Sequence, residues 1–80
     1  MKIQITITEI DFIDGRYVVN YVFNLGKKTY KDTVFVEEEN FSEEEVWEEI
    51  EKKVRKTIKR ELGLQKIVNK SREIEISLKI

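Results

Sequence analysis

Apolar and polar residues alternate along three successive runs at the start of the chain. They then recur every fourth residue, and alternate again at the end. Period two marks a strand with one buried face, and a period near 3.6 marks a helix. In KIQITITEIDFI, Ile3, Ile5 and Ile7 share one parity, whereas Ile10 and Phe12 share the other. One extra residue at Thr8-Glu9, a β-bulge, restores all five to a single face. Asp14-Gly15 reads as a two-residue hairpin turn. It sets Phe12 opposite Tyr17 and Ile10 opposite Val19. Beyond the bulge it sets Ile7 opposite Tyr21, Ile5 opposite Phe23 and Ile3 opposite Leu25. Gly26-Lys27 is a second turn, with glycine supplying the positive φ. It places Tyr30, Val34 and Val36 opposite Phe23, Val19 and Tyr17, and leaves Asp32 facing Tyr21 on the inner face.

The helix starts at Ser42, whose hydroxyl suits an N-cap. Glu45 completes a capping box, and Phe41 and Val46 fit a hydrophobic staple. Val46, Ile50, Val54, Ile58 and Leu62 form its apolar stripe, which Trp47 broadens. Gly63 is expected to end the helix, with Leu64 folding back on it. Residues 64–71 fit either a helical turn or a short strand, with Ile67 and Val68 plugging the core. The run REIEISLKI alternates Ile74, Ile76, Leu78 and Ile80 against Glu73, Glu75, Ser77 and Lys79. The expected fold is therefore α+β in the order β-β-β-α-β, one domain over residues 1–80. Its sheet is bent, mixed and four-stranded, in the order 3-2-1-4, with the helix on one face and a right-handed crossover. The alternative places the last strand beside the third. An inward Asp32 favours the third strand as a free edge, because a buried-face charge resists further pairing.

Composition narrows the function classes. The chain of 80 residues carries a net charge of −1, with hydrophobic residues at 40% and charged ones at 39%. That is the composition of a soluble globular domain. No apolar run approaches a membrane span, and no cationic leader precedes one, so a soluble, cytoplasm-compatible protein is expected. There is no Cys, His or Pro. Disulfides and thiolate chemistry are thereby excluded, and the commonest general base and zinc ligand are missing.

Charge is segregated along the helix. Only acids lie between Glu37 and Glu51, whereas bases dominate from Lys52 to Arg72. Acids at a helix start and bases at its end complement the macrodipole. Glu48-Lys52, Glu49-Lys53 and Glu51-Arg55 have the spacing of favourable helical ion pairs. A nucleic-acid reading would instead use Lys56, Lys59 and Arg60 with the hairpin lysines Lys27, Lys28 and Lys31, among which Tyr30 stands. The outer sheet face is largely polar but carries Val18, Val22 and Phe35, with Val18 opposite Phe35. That island is a candidate surface for a protein partner or a second copy. No pattern of catalytic, cofactor-binding or metal-binding residues emerges. The acidic run Glu37-Glu38-Glu39-Asn40 lacks the glycine and ligand alternation of a calcium loop.

Two-residue DG and GK turns, SEEE at the helix start, ELG at its end, one bulge and the absence of Cys, His and Pro together resemble an idealised, computationally designed α+β domain. Such a resemblance implies a scaffold without an evolved substrate. The order of three strands and then a helix also resembles antitoxins of the HicB type. Their loop signature is missing, and no functional residue is carried over. The expectation is a non-enzymatic scaffold or small interaction module. The alternative is a nucleic-acid-associated accessory protein of a thermophile or its virus.

Overall fold

The computed structural model describes residues 2–75. Strands β1 (Ile5–Ile13), β2 (Arg16–Leu25) and β3 (Lys28–Glu37) are followed by a 3₁₀ turn at Glu38–Asn40 and helix α1 (Glu43–Gln65). The sheet has β2 at its centre, and both of its pairings are antiparallel.

The two turns set the strand registers. Asp14 and Gly15 both take positive φ, 53° and 79°, as a primed hairpin turn requires, and Gly26 takes 63° at the start of the second turn. β1 steps its register between Ile7 and Glu9. Ile7 therefore faces Tyr21 and Ile10 faces Val19. Both partners are buried, so the bulge does place Ile7 and Ile10 on one face. β2 and β3 pair without interruption, with Tyr21 opposite Asp32 and Val18 opposite Phe35. The β1 ladder begins at Ile5 opposite Phe23. Ile3 packs against the core ahead of it, without the ladder partner expected in Leu25.

Ser42 caps α1, its hydroxyl accepting from the Glu45 N–H at 3.1 Å. Phe41 stacks on Tyr17, ring centroids 3.9 Å apart, and stays 40% exposed. Of the expected helical ion pairs, Glu51-Arg55 forms at 2.6 Å. Lys52 pairs instead with Glu49, and Lys53 leaves the helix surface for Asp32. The helix runs past Gly63 to Gln65, and Lys66 keeps a right-handed conformation. A glycine costs a helix about 1 kcal/mol against alanine but does not oblige it to stop. The left-handed residue comes later, at Asn69 with φ 70°. Residues 66–69 make turns rather than a strand, and Leu64, Ile67 and Val68 are exposed, not plugged into the core.

The core joins Val19, Tyr21 and Phe23 of β2, Val34 and Val36 of β3, and Val46, Ile50 and Val54 of α1. The short link after β3 holds the helix over the strand it has just left, and α1 packs chiefly against β3. The inner face of β1 is covered only in part. Ile3, Ile5 and Ile7 touch the core, but Ile10 and Phe12 remain 46% and 52% exposed.

The expected four-stranded mixed sheet is not formed among the described residues. Among the described residues the sheet is three-stranded and antiparallel, and neither β1 nor β3 has a parallel neighbour. Arg72–Glu75 are irregular and exposed, Ile74 to 70%. Ile76, Leu78 and Ile80 lie outside the described residues. Alternation states which side chains a strand would bury if paired; it does not supply the pairing. Here the described residues after the helix are turns and irregular chain, all of them exposed.

Candidate functional site

The outer sheet face is built by the residues that alternate with the core. Asn20 and Asn24 on β2 sit beside Thr33 and Thr29 on β3. Thr33 donates its hydroxyl hydrogen to Asn20 Oδ1 at 2.6 Å, and Thr29 donates to Asn24 Oδ1 at 2.7 Å. The bulge residue Thr8 donates to the Asn20 carbonyl at 3.3 Å. The Thr8 and Thr33 bonds to Asn20 tie three strands together where the bulge bends the sheet, beside an open hollow lined by Thr8, Asn20, Tyr21, Val22, Lys31, Asp32 and Thr33. Thr8, Asn20 and Thr33 are paired with one another there, which is what a sheet-stabilising ladder does.

The apolar island lies toward the first hairpin. Val18 and Phe35 are opposed as the turns dictate, but Val18 and Val22 are half-buried, so Phe35 carries the exposure, at 49%. Arg16 lies over the Phe35 ring at 4.3 Å. Ile13, paired with Arg16, adds a second exposed apolar side chain that the sequence reading passed over. Its parity, the same as that of Asp11 beyond the bulge, was the signal that would have placed it there.

The basic residues do not converge. Lys27 and Lys28 stand at the second hairpin, and Lys28 lies 3.6 Å from Glu61 near the helix end. Lys31 pairs with Val22 and so belongs to the outer sheet face. Lys56 lines a groove with Phe35, Lys52 and Lys53 on the β3 flank. Lys59 and Arg60 are exposed on the last turns of the helix.

A polar cluster on the inner face joins Tyr21, Asp32 and Lys53. Lys53 Nζ donates to Asp32 Oδ1 at 3.2 Å and to the Thr33 carbonyl at 2.6 Å, and the Thr33 N–H donates to Asp32 Oδ1 at 2.8 Å. Partial burial pushes the Asp32 carboxyl pKa upward, but the Thr33 N–H and Lys53 outweigh it, and the net shift is down. Burial, then the neighbouring Asp32 charge, push the Tyr21 hydroxyl up to about 12. That hydroxyl is buried without a hydrogen-bond partner; Asp32 acts on it mainly as a nearby charge, in geometry short of a bond. At neutral pH Asp32 is therefore ionised and salt-bridged, and Tyr21 is neutral. Neither titrates near the pH at which a general acid or base works best. The cluster's evident effect is to fasten the helix to β3.

No three carboxylates gather into a cation site among the described residues, and Glu37, Glu38 and Glu39 all face solvent. No described helix is long and apolar enough to cross a membrane. Comparison with known proteins gives no family model, no curated relative and no solved structure that matches this chain.

Proposed function

We propose that the protein is a non-enzymatic interaction module, a small scaffold that presents apolar sheet surface to a partner. The observation that carries this reading is the half-covered inner face of β1. Ile10 and Phe12 point to the side where the core forms, yet the helix lies over β3 and leaves them about half exposed. Apolar side chains exposed in a group at a sheet edge are the usual mark of a surface that another molecule covers. The two-residue turns, capped helix start and single bulge accord with an idealised or designed scaffold, for which presentation of surface is the whole task.

A stability comparison tests the reading. Ile10→Lys should cost less than about 1 kcal/mol in urea unfolding, because a half-exposed side chain has little packing to lose, and Phe12→Lys, which also gives up a ring contact with Tyr17 at 4.9 Å, less than about 2 kcal/mol. A loss of about 3 kcal/mol or more for either would class them as core residues of the isolated chain. The interaction reading would then have no surface to stand on.

A further inference from the structure

The two edges of the sheet are unlike. β3 is guarded. Asp32 places a charge on its inner face, Lys53 caps the Thr33 carbonyl at 2.6 Å, and α1 lies along the strand. Inward charges, lysines and a covering helix are the devices that keep an edge from pairing with another chain. Among the described residues β1 has none of these three. It carries no lysine or arginine from Ile5 to Ile13, and its own guards, the bulge with Glu9 and Asp11, all lie beyond Ile7.

The bulge divides β1 into unlike halves. Beyond it, the outer face carries Glu9 and Asp11. Before it, in the start of β1 and the irregular residues 2–4 that lead into it, Gln4 and Thr6 are uncharged, while Ile3, Ile5 and Ile7 pack against the core. An antiparallel pairing of two copies about a twofold axis beyond the bulge would set Glu9 against the partner's Asp11. Like charges directly opposite are unfavourable. A pairing centred on Ile5 meets no such conflict. Ile5 then faces its own copy, Ile3 faces the partner's Ile7, and Gln4 faces the partner's Thr6. Lys2 falls opposite the partner's bulge, against the carboxylate of the partner's Glu9.

Resting on the interaction-module reading, we propose that the partner is a second copy of this chain, joined edge to edge through residues 2–8. The contact is isologous and closes on itself, so it yields a dimer and not a fibre. The two sheets become one of six strands, with both helices on the same face over the outer strands and the two isoleucine rows adjoining between them. Seven residues a side bury less than the roughly 800 Å² per partner of a standard interface. The dimer is accordingly weak and concentration-dependent.

Sedimentation velocity on the full chain, from about 10 µM to about 1 mM, spans the affinity range in question. The expected result is a monomer–dimer shift across it. Gln4→Lys with Thr6→Lys sets cations opposite one another in the proposed register and should weaken association at least tenfold, with the circular dichroism of the fold retained. The chain has no cysteine, so Ile5→Cys offers a direct probe of register. Mild oxidation should link Ile5→Cys into a covalent dimer far faster than the hairpin variant Lys27→Cys. A monomer at every concentration overturns the proposal, as does a dimer indifferent to Gln4→Lys with Thr6→Lys but lost in Phe35→Lys. If self-association fails while Ile10→Lys and Phe12→Lys cost little stability, only the second copy is excluded. If those two changes unfold the chain, the wider reading falls with it.

Discussion

Replacing Tyr21 by Phe should stabilise the protein. The ring is 1% exposed, and its hydroxyl is buried with no hydrogen-bond partner. Taking a hydroxyl out of water without a replacement bond costs about 1–3 kcal/mol, and Tyr21→Phe removes that cost while leaving the ring's packing intact. The Asp32 carboxylate nearby offsets part of it, so the expected gain lies near the lower end, about 1 kcal/mol. For a domain of this size that raises the melting temperature by about 4–8 °C. The change also alters the response to base. A hydroxyl with an ordinary pKa of 10 in the unfolded chain and about 12 in the fold contributes stability that is whole below pH 10. That contribution is lost as pH rises through 12, because the unfolded chain releases the proton first. Tyr21→Phe should therefore unfold later than the parent at neutral pH, and its advantage should widen between pH 10 and 12. Urea titrations followed by far-ultraviolet circular dichroism at pH 7 and pH 11 read both effects. A loss of 1 kcal/mol or more at pH 7 would refute the reasoning, since it would mean that the hydroxyl is bonded to Asp32 in solution.

Other perturbations address the fold and its surfaces. Ile50→Ala empties a wholly buried position between helix and sheet and should cost about 3–4 kcal/mol by chemical denaturation. Ser42→Ala removes the hydroxyl that accepts from Glu45 and should cost about 1 kcal/mol, while Ser42→Gly should cost only a few tenths. Deleting Thr8 removes the bulge yet leaves Ile7 and Ile10 on one face by simple alternation. The variant should fold with a straighter β1, and unfolded amide shifts in its NMR spectrum would count against the bulge assignment. The scattered lysines should give no binding to a single-stranded oligonucleotide at low salt by fluorescence anisotropy, whereas tight binding that collapses with added salt would restore the nucleic-acid reading.

Local chemistry made most of the sheet legible in the sequence. Asp14-Gly15 and Gly26-Lys27 fixed two registers before any contact was known, and the parity change between Ile7 and Ile10 demanded the bulge. Ser42 announced the helix start for the same reason, since a cap is a contact between near neighbours. What failed were inferences about distant partners. The alternation from Arg72 onward showed which side chains a strand would bury but not whether an edge would receive it. Glycine often ends helices, yet Gly63 is flanked by enough helix formers for α1 to continue to Gln65. Leu62, Ile67 and Val68 are apolar, but the extent of the core depends on where the helix lies. The helix settles over β3, so those residues stay exposed, and so does the far end of β1. The outer-face island was half legible: the Val18–Phe35 pairing followed from the turns, while Arg16 stacking on Phe35 and the addition of Ile13 needed three dimensions.

The most direct measurement is side-chain NMR with a soluble paramagnetic probe added to dilute protein. If the helix covers β3 and spares β1, Ile50 and Val34 should show mutual contacts and little probe broadening, while Ile10 and Phe12 broaden strongly and show no contact to the helix. Shielded Ile10 and Phe12 with cross-peaks to α1, or to any segment of the monomer other than their partner strand β2, would mean that the open face does not exist.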